Sequence, residues 1–108
     1  MSDGTRMVRH TVLVKFHDDA TGEQRAEFIS RSQWSRKVDY VSGYVCGLPV
    51  QPNPYSADGT DDWDWGMSLD IAETDVERYR DDPIHQAVGA DVGEYAHSYA
   101  ILDFVIEQ

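Results

Sequence analysis

Residues 63–72, WDWGMSLDIA, alternate with period two: Trp63, Trp65, Met67, Leu69 and Ile71 share one side, and Asp64, Gly66, Ser68 and Asp70 the other. Such a pattern can sit still only as a strand with one face turned to a core. MVRHTVLVKF, residues 7–16, alternates likewise, with Val8, His10, Val12, Val14 and Phe16 opposite Met7, Arg9, Thr11, Leu13 and Lys15. Residues 41–48 and 97–107 add two further strands, the first weakened by glycines that suggest a bulge. Between the first two strands, Thr21 and Gln24 have the spacing of a capping box and predict a helix over 22–37.

After the third strand, Thr74 and Glu77 have the same spacing and predict a short helix through Tyr79. Asp82 followed by Pro83 is a favoured N-cap and first helical residue, so a fresh helix is expected over 83–95. The order β-α-β-β-α-β, with its second helix broken, reads as the ferredoxin-like α+β plan: a four-stranded antiparallel sheet with helices on one face. Residues 7–107 form one domain on this reading, behind a loose leader over 1–6, and residues 51–62 form a long surface loop. Apolar residues lie on both sides of the sheet, and two helices can cover only one. A face carrying Trp63, Trp65, Met67, Leu69, Val12, Val14 and Phe16 would be a large exposed patch, so a homodimer is expected, sheet against sheet, with a barrel-like space between or within the sheets.

Composition narrows the partners. A net charge of −11 repels phosphate backbones and anionic lipid, and the nine Lys and Arg form no cluster, which speaks against nucleic acid. No stretch approaches the length of a membrane span and the first 30 residues hold no signal-like apolar run, so a cytoplasmic protein is expected. Cys46 is alone and reads as a half-buried strand residue. DGTDDWDW supplies carboxylates without the spacing of a calcium loop, and no metal site is expected. Phosphate loops and nucleophile elbows are missing, which leaves cofactor-free proton transfer as the chemistry open to the chain.

The residues that could carry it lie in YRDDPIHQAV, residues 79–88. His85, near the start of the expected helix, reads either as a side chain covering a helix end or as a base for a proton next to a carbonyl. Tyr79 reads either as an aromatic closing the core or as a donor to a developing enolate oxygen. His10 is either a hydrogen-bonded strand histidine or a pocket group.

MVRHTVLVKFHDDAT, VSGYVCGLPV, YRDDPIHQAV and the closing AILDFVIE together resemble the stress-responsive A/B barrel (Dabb) domain family of dimeric α+β barrels, from Met7 to Glu107. The resemblance implies that fold and that dimer. The family spans stress-associated proteins of unknown activity, domains attached to enzymes, and a plant polyketide cyclase that makes olivetolic acid. In that cyclase a tyrosine and the histidine of a Pro-x-His act as acid and base.

Tyr79 and His85 match those positions, and His10 matches a first-strand pocket histidine. Trp65 stands where the cyclase has a further pocket histidine, which implies a different substrate. The resulting expectation is a cofactor-free cyclase, isomerase or lyase acting on a small apolar carbonyl compound, such as a polyketide or phenolic intermediate, through an enolate. His85 would be the base, Tyr79 the acid and His10 an auxiliary. Val12, Val14, Phe16, Trp63, Trp65, Met67, Leu69 and Val88 would contact the substrate. The rival reading is a non-catalytic, stress-associated dimer that binds a small molecule; a third is a haem or quinol monooxygenase on the same architecture.

Overall fold

The computed structural model of the chain describes residues 5–55 and 63–107. Strand β1 (Met7–Phe16) is followed by helix α1 (Gly22–Ser32), strands β2 (Val41–Gly47) and β3 (Trp65–Ala72), helices α2 (Val76–Asp81) and α3 (Pro83–Tyr95), and strand β4 (Ala96–Val105). The four strands form one antiparallel sheet in the order β2-β3-β1-β4, the ferredoxin-like arrangement.

The capping box of α1 closes as its spacing predicts: the Gln24 N–H donates to Thr21 Oγ1 at 3.1 Å and the Thr21 N–H donates to Gln24 Oε1 at 2.9 Å. The helix does not run to 37. It ends at Ser32, and Gln33–Lys37 tighten into a 3-10 turn. Ser32 Oγ donates to the Ile29 carbonyl at 2.6 Å and Gln33 Nε2 to the same carbonyl at 2.9 Å, the side-chain competition that unseats a regular ladder. The second expected capping box does not form. Glu73–Asp75 already turn as a 3-10 segment and Asp75 precedes α2 in a helical conformation, so Thr74 is not at the cap.

At α3 the Asp82 carboxylate accepts from the Ile84 N–H at 2.8 Å, with Pro83 in the first turn. Asp82→Ala is expected to cost about 1 kcal/mol, read as a lower melting temperature, because the Ile84 N–H at the start of the helix loses its acceptor. In β2 the register shifts between Ser42 and Val45, where Gly43 adopts φ +63° and a Cβ would come 3.4 Å from the Asp70 carboxylate. Cys46 is half-buried on this strand.

The helices settle on the face of Val8, Val14 and Phe16 of β1 and of Trp65, Leu69 and Ile71 of β3, all of them buried there with Phe28 of α1. This corrects the expectation that the Trp65, Leu69, Val14 and Phe16 face lies open and needs a second copy: the chain covers it with its own helices. The apolar residues left uncovered on the opposite face are Val45 of β2 and Leu102 and Phe104 of β4.

Candidate active site

Between the helix-covered face of the sheet and the helices lies a cavity of about 270 Å³. His10, Val12, Trp65 and Met67 line it from β1 and β3, Tyr79 from α2, and His85 and Val88 from α3. Seven of the residues expected at a site are thereby brought together. Val14, Phe16 and Leu69 are not among the lining residues; they are core, with at most 3% of their surface exposed. Trp63 lies elsewhere, in an open groove of about 640 Å³ that it shares with Leu13, residues 47–50 and Trp65. Among the described residues that line that groove there is no histidine or acid, whereas the smaller cavity gathers His10, Tyr79 and His85 and is the candidate site.

Each candidate side chain is held by a specific device. Tyr79 is 5% exposed, stacked on Trp34 with centroids 5.4 Å apart and planes at 18°, and its hydroxyl meets Ser35 Oγ at 2.9 Å. Burial pushes the Tyr79 phenol above its ordinary pKa; the Ser35 hydrogen bond works against this, and the negative charges of Asp82 and Asp103 add to the rise. The phenol therefore stays protonated, able to donate. His85 stands 4.5 Å from the Tyr79 ring, centroid to centroid.

His85 Nδ1 lies 3.1 Å from the Arg80 carbonyl. A carbonyl only accepts, so Nδ1 carries hydrogen and in the neutral ring Nε2 is the lone-pair nitrogen. The break between α2 and α3 places that carbonyl where it can orient the ring. His10 crosses the Tyr79 ring edge-on at 5.6 Å, and its Nδ1 bonds the Asp103 carboxylate of β4. The carboxylate accepts from Nδ1, so in the neutral His10 ring Nε2 is the acceptor nitrogen.

Sequence reasoning missed Asp103, Ser35 and Trp34 as site residues. The antiparallel register sets His10 beside Asp103, a lone acid in an otherwise apolar stretch of β4. That isolation was the available signal. Ser35 and Trp34 reach the cavity because residues 33–37 tighten into a 3-10 turn in place of the expected helix.

No group of three or more metal-binding side chains occurs among the described residues. Most of the acidic DGTDDWDW stretch falls at 58–62, outside the described residues. Its Asp64 accepts from the Phe16 N–H at 2.9 Å and stands 3.8 Å from Arg25.

The family model for the stress responsive A/B barrel domain matches residues 8–106. No curated protein sequence matches the chain. Among solved structures, a dimeric ferredoxin-like protein of unknown function from Thermobifida fusca is 20% identical with a TM-score of 0.76, over 98% of this chain and 96% of its own. A Dabb family protein with a ferredoxin-like fold from Mesorhizobium loti is 20% identical, TM-score 0.76, over 95% of this chain and 99% of its own. The hydroxynitrile lyase from Passiflora edulis is 14% identical, TM-score 0.79, over 96% of each chain.

Proposed function

The chain belongs to the stress-responsive A/B barrel domain family, and we propose on that premise that it is a cofactor-free acid/base enzyme acting on a small apolar carbonyl compound. The observation that carries the reading is the His85 ring, tied through Nδ1 to the Arg80 carbonyl so that Nε2 is free as a base, next to a buried, protonated tyrosine. Nε2 removes a proton from the carbon beside the carbonyl while Tyr79 donates to the oxygen on which charge develops. The Ser35 hydroxyl then donates to the Tyr79 oxygen, and the imidazolium returns its proton to the product. His10, oriented by Asp103, supplies a second acceptor at the same wall.

An enolate formed this way serves cyclisation by attack on a second carbonyl, isomerisation by reprotonation at another carbon, or elimination of a β-leaving group, and none of these needs a cofactor. A structure of the same fold is named as a hydroxynitrile lyase, which supports lyase chemistry as one outcome. Trp65 narrows the cavity with an indole and argues against the substrate of the plant cyclase. The test is base-catalysed hydrogen exchange at the α-carbon of a model ketone. Binding without exchange would instead support a small-molecule-binding protein, a role that the apolar lining also fits.

The reading includes a homodimer formed across the helix-free face, since two dimeric proteins share the fold and Val45, Leu102 and Phe104 are exposed there. Phe104→Glu is expected to move the protein from dimer to monomer in sedimentation equilibrium, because a charge would take the place of an apolar ring in the interface and would have to be desolvated there. An unchanged dimer would place the interface elsewhere. A cytosolic setting fits the lone cysteine, and no described helix is long and apolar enough to cross a membrane.

A further inference from the structure

Of the residues that line the cavity, Gly89 and Gly93 of α3 and Tyr99 and Ile101 of β4 are the ones exposed to solvent. The cavity therefore opens between α3 and β4. Glycine is the least favourable residue after proline in a helix interior, and α3 has two of them on this rim, four residues apart and so on one face. Neither backbone nor crowding demands them: neither has a positive φ, and a Cβ added at either would meet no other atom within 4 Å. What the missing side chains do provide is room along two successive turns. Across the gap, Tyr99 and Ile101 are 57% and 55% exposed and present apolar sides to whatever passes.

We propose that this side-chain-free strip of α3 and the Tyr99–Ile101 pair form the port of the cavity, and that Gly89 and Gly93 set the cross-section of the ligand that passes. The ligand class is a flat aromatic carbonyl compound that slides in edge-on, toward the planar wall made by Trp34 stacked on Tyr79. The proposal rests on the reading of this cavity as a ligand site, but not on catalysis within it.

Trp34 and Trp65 line the cavity, so quenching of tryptophan fluorescence by an aromatic ketone reports arrival. Stopped-flow traces are taken with acetophenone and with the larger 2-acetonaphthone, on wild type and on Gly89→Leu, Gly93→Leu, Gly93→Ala and Tyr99→Ala, each first shown folded by circular dichroism. The leucine variants should slow association of 2-acetonaphthone about tenfold or more, with acetophenone changed less than about twofold, as expected where access limits the rate. Tyr99→Ala should speed the larger ketone, and Gly93→Ala should melt no lower than wild type.

Equal rates for 2-acetonaphthone in wild type and both leucine variants would overturn the port and leave the acid/base reading standing. A Gly93→Ala protein that melts well below wild type would show that the glycine serves fit against its neighbours and would overturn the argument from room. Absence of quenching by either ketone in wild type would remove the ligand site and the port together. Normal port kinetics with no α-hydrogen exchange would remove only the catalysis.

Discussion

In deuterium oxide with 2-tetralone, wild-type protein is expected to accelerate loss of the α-hydrogen signals in proton NMR, and His85→Gln to reduce that acceleration by about two to four powers of ten. The magnitude follows from what glutamine can and cannot replace. Its amide can still donate to the Arg80 carbonyl, so the local geometry of the α2–α3 break survives, but it has no nitrogen lone pair to take a proton. Tyr79→Phe should keep the stacking on Trp34 and the ring contact with His85 and lose the donor to the oxygen, for a loss on the order of a hundredfold. Exchange at the wild-type rate in His85→Gln would remove the assignment of the base. Saturable quenching by 2-tetralone with no exchange above buffer would leave a binding protein.

How much of this could be read without coordinates depends on the range of the interaction. Asp82 and Pro83 cap α3 through contacts two residues apart, and Thr21 and Gln24 close their box across three, so both helix starts were legible. The bulge at Gly43 was legible for the same reason, since only glycine tolerates its φ without strain. Alternation showed which residues of β1 and β3 share a face, but not which face the helices would choose. Both sides carry apolar side chains, and the choice is made by Phe28 meeting Phe16 and Trp65 edge-on, contacts that no local pattern encodes. The tightening after Ser32 was hidden because SQWSRK has no proline or glycine to announce an end.

The site divides along the same line. His85 and Tyr79 lie six residues apart, and the helix break between them brings the rings together, so a reading of one short segment reached them. His10 joins Asp103 across 93 positions of sequence, and Tyr79 joins Ser35 across 44. These partners exist only once the register of β1 on β4 and the placing of α2 are settled. Val14, Phe16 and Leu69 share their side of the sheet with Val12 and Met67, yet lie away from the cavity lining, although Leu69 stands beside the lining residue His10 and Val14 beside Trp65; what packs over each position decides between core and pocket, and period-two alternation is blind to it.

Phe28→Ala is expected to be the most damaging single change to the fold, at about 3–5 kcal/mol against a whole stability of roughly 5–15 kcal/mol for a domain of this kind. Phe28 is 2% exposed and meets Phe16 and Trp65 with ring centroids 5.5 Å apart in both cases and planes at 82° and 88°. The ring therefore joins α1 to β1 and β3 at once. Its removal forfeits the transfer free energy of the side chain and both edge-to-face contacts, and should lower the melting temperature by on the order of 15 °C. Phe28 also lines the cavity, so the void left behind is continuous with a space built to hold something apolar. Acetophenone at about a hundred times its dissociation constant should then return about 2.7 kcal/mol, and at one fixed concentration the melting shift should be larger in Phe28→Ala than in wild type, because the enlarged space admits more of the ligand's surface. A loss below about 1 kcal/mol would show that Phe28 does not clamp the helix to the sheet. A full loss with no extra rescue would make it core and not cavity wall, because only a wall can be replaced by what the cavity holds.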